Sequence, residues 1–210
     1  MNSKIILIEG IPGAGKTTLI KALLEKHVSQ DKKIDSLLHL SQTQTYKPVV
    51  SDEDNFYACK TDNLNHLSKI LDLLTRSISI GNNKSHNNLF AIIDTLHITH
   101  CFRPGNISWR EVAAYDKLLA NINSKLIFIK ALPGTIWERA ILKRNEADEL
   151  YLKMYQKRYG NSLEEVHQYY MNEQDKMEKL IEQSSLSKMT LFSEETPQTN
   201  ENTDYEFWRQ

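Results

Sequence analysis

Five short runs of mainly apolar residues recur along the chain, separated by stretches that are polar or have helical periodicity. The run at residues 89–93 is uniformly apolar, which indicates a strand buried on both faces, as in a parallel sheet covered by helices. The other runs have the length that is typical of strands. We therefore predict strands at residues 5–8, 37–40, 89–93 and 126–129, and a weaker strand at 189–192.

Between these runs, apolar residues recur at the spacing of one helix face. The clearest stripe extends from Leu64 to Ile78, and we predict that it packs on the sheet. A dimer seam along the same stripe, and with it a homodimer, is the alternative. Ser108 and Glu111 have the spacing of a capping box at the start of another helix. A long helix-forming stretch, residues 135–184, is broken at 159–162.

Alternating strands and helices predict an α/β fold, in which a doubly wound sheet has helices on both faces and so forms three layers. Because no linker rich in Pro, Gly and Ser divides the chain, we predict one domain over residues 1–192 and an acidic tail at 193–210. Ligands of such sheets bind beyond the carboxyl ends of the strands. One crevice should therefore collect Glu9, Leu40, Ser41, Asp94, Lys130 and Ala131.

Charge and hydropathy restrict the class of partner. The chain has 26 Lys and Arg against 27 Asp and Glu, so it lacks the basic surplus of a nucleic-acid binder, and we expect no nucleic-acid partner. No apolar stretch is long enough to cross a bilayer. Cys59 and Cys101 are far apart and lack a metal-ligand spacing, which suits a reduced compartment. We expect a cytoplasmic protein without a membrane partner.

The strongest motif is the phosphate-binding loop (Walker A) from Gly10 to Thr17, which directly follows the first apolar run and opens a helix. Its glycines let backbone N–H groups surround an anion, and the helix N-terminus favours negative charge. Lys16 is predicted to reach the β- and γ-phosphates of ATP, and the Thr17 hydroxyl to bind Mg²⁺. The predicted nucleotide-binding residues are Gly10, Ile11, Pro12, Gly13, Ala14, Gly15, Lys16, Thr17 and Thr18.

Asp94 ends the apolar run at 89–93, where a protein with a phosphate-binding loop needs a carboxylate. Asp94 is predicted to hold Mg²⁺ or to accept the proton of an attacking hydroxyl, and its position does not distinguish these roles. The alternative is that Asp94 is only a helix N-cap.

Three further residues near this edge are candidate contacts for the phosphoryl acceptor, namely Glu9, His97 and Arg103. His97 and Arg103 follow Asp94 within one short stretch, and Glu9 directly precedes the loop. A zinc site on His97 and His100 is disfavoured, because no third and fourth ligand follow at a recognisable spacing. Surface side chains at a helix start are the alternative interpretation.

A cluster of basic residues lies on the helix that follows the fourth predicted strand. Arg139 and Arg144 are predicted to stabilise the charge of the transferring phosphoryl group, because the planar guanidinium binds phosphate at two points. Lys143 is four residues from Arg139 and shares its helix face. A solvated basic face paired with Glu138 and Glu146 is the alternative.

Together these residues resemble the thymidylate kinase and deoxynucleoside kinase group of P-loop kinases. Residues 8–18 are similar to the group's opening motif, and Asp94 matches the acidic residue of its Asp-Arg or Glu-Arg motif. Residues 132–144 are similar to the start of its arginine-bearing lid. The resemblance implies a five-stranded, mainly parallel core, a helical lid at about residues 134–160, and ATP as the donor. It does not identify the acceptor.

Two positions depart from that group. Thr95 occupies the position of its arginine, and Ser41, Gln42 and Thr43 offer no acidic residue after the second strand. The sequence therefore predicts an ATP- and Mg²⁺-dependent kinase for a nucleoside or nucleoside monophosphate. An antibiotic or another small alcohol is the alternative acceptor. A non-catalytic nucleotide-binding or switch protein is the other alternative, although residues 83–86 lack the Asp of a guanine-reading motif.

Overall fold

The structure is a computed structural model and describes residues 4–29, 36–45, 60–82, 89–102, 107–143, 153, 156 and 159–193. All five predicted strands are confirmed within these residues. They are β1 (Lys4–Glu9), β2 (Ser36–Leu40), β3 (Leu89–Asp94), β4 (Ser124–Lys130) and β5 (Ser187–Phe192).

The strands form one sheet in the order β2-β3-β1-β4-β5, and every neighbouring pair is parallel. This confirms the predicted parallel core. The three central strands are almost wholly buried, whereas β2 and β5 at the edges expose many of their residues. The uniform apolar runs therefore mark the centre of the sheet, because only central strands are covered on both faces. β1 lies in the middle, so the loop that follows it opens at the centre of the carboxyl edge.

Helices cover both faces of the sheet. They are α1 (Lys16–Ser29), α2 (Gln42–Thr45), α3 (Lys60–Asn82), α4 (His97–His100), α5 (Trp109–Asn121), α6 (Pro133–Ile136), a π-helix (Trp137–Leu142) and α7 (Leu163–Gln183). One apolar cluster joins α3, α5 and the end of α7 to strand residues such as Leu7 and Ile93. A second joins α1, the π-helix and the start of α7 to residues such as Ile8 and Ile129. The predicted three-layer α/β fold is confirmed.

The apolar stripe of α3 packs on the sheet, as predicted. Leu67, Leu71 and Leu74 are buried in the first cluster, so these side chains are not free to form a dimer seam. The homodimer itself stays a prediction.

Helix boundaries follow local signals in the sequence. Ser108 and Glu111 form the predicted capping box of α5, and the Ser108 N–H donates to Glu111 Oε2 over 2.9 Å. The predicted break at 159–162 is confirmed by Ser162, which caps α7. α3 ends at Asn82. No helix among the described residues has the length and apolarity to cross a membrane. The domain boundaries and the tail stay predictions, because nearly all of the tail lies outside the described residues.

Candidate active site

The phosphate-binding loop occupies the space between the end of β1 at Glu9 and the start of α1 at Lys16. The Ala14 N–H donates to the Ile11 carbonyl over 3.2 Å, which closes the turn. The Leu19 N–H donates to the Gly15 carbonyl over 3.1 Å at the start of α1. Backbone N–H groups in the first turn of a helix have no helical partner, so they suit an anion. The other predicted nucleotide-binding residues, Gly10, Pro12, Gly13, Thr17 and Thr18, lie in this loop and first turn.

The Lys16 ammonium lies against the loop. Its Nζ donates to the carbonyl oxygens of Gly10 over 2.7 Å and Ile11 over 3.2 Å. The side chains of Thr17 and Thr18 are exposed at the helix start. The structure therefore brings one cation, two hydroxyls and the helix N-terminus together at one loop.

The π-helix forms a wall of this loop. Gly13 has a φ of +81°, and a Cβ added there would lie 2.9 Å from the Cβ and 3.0 Å from the backbone nitrogen of Ala140. Only glycine allows both this backbone and so close an approach. The contact holds the π-helix, which also carries Arg139, against the loop.

Replacing Gly13 with alanine is expected to lower the free energy of unfolding by about 1–3 kcal/mol and to weaken nucleotide binding, because the new methyl group would push the loop and the π-helix apart. Gly134→Ala is the matched control, because nothing lies within 4 Å of a Cβ at Gly134. That variant should keep its stability or gain up to about 1 kcal/mol. Denaturant unfolding and calorimetric ATP binding measure both effects. Equal losses in both variants would contradict the close contact.

Asp94 lies at the carboxyl end of β3, in register with Ile8 of β1, and is 8% exposed. Thr45 Oγ1 donates to its carbonyl oxygen over 2.7 Å, and Thr95 Oγ1 donates to its Oδ1 over 3.0 Å. Helix α4 begins at His97 with Leu96 as its N-cap, so the interpretation of Asp94 as an N-cap is wrong. Its carboxylate is therefore available beside the loop.

Glu9 faces the interior, against the prediction that it contacts the acceptor. Its side chain is fully buried, Leu96 N–H donates to Oε1 over 2.8 Å, and Thr99 Oγ1 donates to Oε2 over 2.6 Å. Burial raises the pKa of Glu9, and the hydrogen bonds from Thr99 and Leu96 together with the charge of Lys16 oppose this shift. Glu9 therefore fastens the end of β1 to the start of α4.

His97 is also turned inward, and its prediction as an acceptor contact is wrong for the same reason. The ring is fully buried, and its Nε2 lies 3.0 Å from Asp116 Oδ1. Burial would raise the pKa of Asp116, but hydrogen bonds from His97, Ser184 and the Ser185 N–H hold it below its usual range. The pair joins α4 to α5 and to the end of α7. A sequence signal was present, because Asp116 interrupts the buried face of α5 between Val112 and Leu119 and so needs a partner.

Arg139 is half-buried on the π-helix and makes no hydrogen bond or ion pair with a described residue. Lys143 instead pairs with Glu138 over 2.9 Å on the exposed side, and the hydrogen bond from Lys143 lowers the pKa of Glu138. The solvated-face interpretation therefore holds for Lys143. The charge of Arg139 also contributes to the lowered pKa of Glu138, and the role of Arg139 at the phosphate stays a prediction. Arg144 and Arg103 lie outside the described residues, so their roles stay predictions.

The donor set suits magnesium better than zinc. Within the described part of the chain, no three His, Cys, Asp or Glu side chains come together as a metal site. The Asp94 carboxylate and the Thr17 hydroxyl, by contrast, supply the hard oxygen ligands that Mg²⁺ prefers. We expect Mg²⁺ to be held together with nucleotide phosphates rather than by a protein cage.

A glycine-rich loop between a central parallel strand and a helix, in a sheet of order β2-β3-β1-β4-β5, defines the P-loop NTPase fold in its kinase-like form. The YorR protein from Bacillus subtilis, solved in complex with phosphorylated GDP, has 15% identity and a TM-score of 0.50, covering 91% of this chain and 86% of its own. Deoxyadenosine kinase from M. mycoides with bound dATP has 15% identity and a TM-score of 0.43, covering 92% of each chain. The likeness to YorR shows a shared fold. No protein-family model and no curated protein matches the sequence.

Proposed function

We propose that this protein is an ATP- and Mg²⁺-dependent phosphotransferase that acts on a nucleoside or a nucleoside monophosphate. One observation carries the proposal: the loop with Lys16 and the carboxylate of Asp94 end two adjacent strands, β1 and β3. A cation and a carboxylate on either side of one phosphate site are what phosphoryl transfer requires. The shared fold with YorR, which was solved with phosphorylated GDP, supports a nucleotide ligand.

The proposal assigns distinct roles to Lys16, Thr17 and Asp94. Lys16 and the N-terminus of α1 bind the phosphates and hold the γ-phosphoryl group for attack. Thr17 and Asp94 would hold Mg²⁺, which when bound neutralises charge on the phosphates. Asp94 has an alternative role as the base that accepts the hydroxyl proton of the acceptor, because Ser41 at the end of β2 provides no carboxylate.

The Arg139 guanidinium is proposed to stabilise negative charge on the transferring group. The contact between Ala140 and Gly13 holds the π-helix that carries Arg139 against the loop, and Lys143 forms an ion pair with Glu138 on the exposed side. Arg139→Ala is expected to lower kcat by about tenfold to a hundredfold with little change in the KM for ATP, because this charge develops in the transition state. Lys143→Ala on the same helix is the control and should keep its turnover. Equal kcat in both variants would assign Arg139 to the solvated face.

A panel of acceptors tests the proposal. ADP formation from Mg²⁺·ATP would be measured with nucleosides, nucleoside monophosphates and hydroxyl-bearing antibiotics. We expect nucleosides or their monophosphates to stimulate ADP formation. Stimulation by an antibiotic or another alcohol alone would favour the second acceptor class. ATP binding without stimulation by any acceptor would favour a non-catalytic nucleotide-binding protein.

A further inference from the structure

Thr95 combines a branched side chain with a left-handed backbone. Its φ is +67°, and the residue is 1% exposed. Branched residues avoid this region because their Cβ crowds the neighbouring carbonyl oxygen. The other described non-glycine residue with positive φ is Asn123, a residue type that tolerates it. Strain of this kind persists where the surrounding structure maintains it, and it concentrates at functional sites.

Two hydrogen bonds hold Thr95 in this conformation. Its N–H donates to the Ile8 carbonyl over 3.0 Å, which continues the β1–β3 pairing beyond the end of the strand. Its hydroxyl donates to Asp94 Oδ1 over 3.0 Å. Glycine would adopt the same backbone at a lower cost and would make the first bond equally well. The hydroxyl is therefore the contact that a threonine adds.

The backbone of Asp94 is held from the other side. Thr45 Oγ1 donates to the Asp94 carbonyl over 2.7 Å, and Thr45 O in turn accepts a bond of 3.0 Å from the buried His100 Nε2. Burial lowers the pKa of His100 to about 3, so the ring is neutral and donates as one tautomer. With the backbone fixed, the freedom that remains to Asp94 is rotation of its side chain.

The Thr95 hydroxyl removes that freedom. It holds Oδ1 of Asp94, whereas no hydrogen bond from a described residue reaches Oδ2. A fixed carboxylate with one available oxygen suits either role of Asp94, since a metal ligand and a base both need a defined direction.

We propose that Thr95 is a positioning residue that orients the Asp94 carboxylate, and that threonine rather than glycine occupies this strained position because of its hydroxyl. Because Thr95 is buried, it acts through Asp94 and does not itself contact phosphate or acceptor. The proposal rests on the proposed function where it assigns a role to Asp94. The resembled kinases have arginine at this position, so the orientation of the carboxylate by a threonine is a property of this chain.

Three substitutions separate the effect of the Thr95 hydroxyl from the effect of its strained backbone. Thr95→Ser keeps the hydroxyl. Thr95→Val lacks the hydroxyl but keeps the shape of the side chain and the backbone strain. Thr95→Gly lacks the hydroxyl and also relieves the strain. Crystal structures should show the wild-type rotamer of Asp94 in the serine variant and a different or mixed rotamer in the valine and glycine variants. Turnover should stay within about threefold for serine and fall about tenfold to a hundredfold for valine and glycine, with little change in the KM for ATP. Thr75→Val on α3 is the control for loss of a threonine hydroxyl elsewhere.

Stability gives a second readout that does not depend on activity. A protein with glycine within regular structure is ordinarily less stable than the same protein with alanine, but at this φ the order should reverse. The denaturation midpoint of Thr95→Gly is therefore expected to lie above that of Thr95→Ala. An Asp94 rotamer unchanged in Thr95→Val and Thr95→Gly, or alanine more stable than glycine, overturns the proposal. Absence of turnover in the wild-type protein would instead refute the proposed function and leave the rotamer and stability comparisons to decide the role of Thr95.

Discussion

Lys16→Ala is expected to reduce phosphoryl transfer by about a thousandfold or more while the protein stays folded. The ammonium lies at the carbonyl oxygens of Gly10 and Ile11, within the loop that holds the donor phosphates. A fixed cation in a partly buried site stabilises developing negative charge far more than a mobile one in water. The Lys16 side chain is partly exposed and belongs to neither apolar cluster, so we expect the core of the sheet to form without it.

Initial rates with Mg²⁺·ATP and the active acceptor measure this effect. Lys21→Ala is the matched control, because Lys21 is exposed on the same helix five residues further along. Thermal unfolding of both variants would establish that the fold is intact. Turnover close to wild type in Lys16→Ala, with the control also active, would remove the loop from the mechanism.

Asp94→Asn is expected to lower turnover by about a hundredfold to ten-thousandfold. Asparagine has the same shape and still accepts the hydrogen bond from Thr95, so the fold of the β3 end should persist. What is lost is the negative charge, which both roles of Asp94 require. Asp72→Asn is the control, because Asp72 is an exposed carboxylate paired with Arg76 on α3.

The same variant separates the two roles of Asp94. If Asp94 holds Mg²⁺, the gain in ATP affinity that Mg²⁺ provides should decrease in Asp94→Asn. If it is the base, that gain should persist and kcat alone should fall. Calorimetric titration with ATP in Mg²⁺ and in EDTA distinguishes these results. A normal rate would leave Asp94 with a structural role only.

The fold was predictable because its signals are local. Each central strand is a continuous apolar run, and the loop motif lies directly between a strand and a helix. The capping box at Ser108 and the cap at Ser162 set helix starts within a few residues. Edge strands were weaker signals, because one side of β2 and β5 is exposed and their runs are mixed.

The site was predictable only in part, because the direction of a side chain after a strand depends on tertiary packing. The positive φ of Thr95 turns the chain so that Leu96 and Thr99 reach Glu9, and this places Glu9 and His97 in the interior. A polar residue in a short segment looks the same in sequence whether it faces the crevice or a buried partner. The contact of the π-helix with Gly13 could not be predicted either, because it depends on the small residue Ala140, which leaves no periodic pattern in the sequence.

Transfer of the γ-phosphoryl group from labelled ATP tests the central claim most directly. Wild-type protein and Lys16→Ala would be incubated with Mg²⁺, γ-labelled ATP and the acceptor that the panel identifies, and the products separated. We predict that the label appears on a nucleoside or nucleoside monophosphate with the wild-type protein and is absent with Lys16→Ala. Label found only in inorganic phosphate, or equal transfer by both proteins, would contradict a kinase built on this loop.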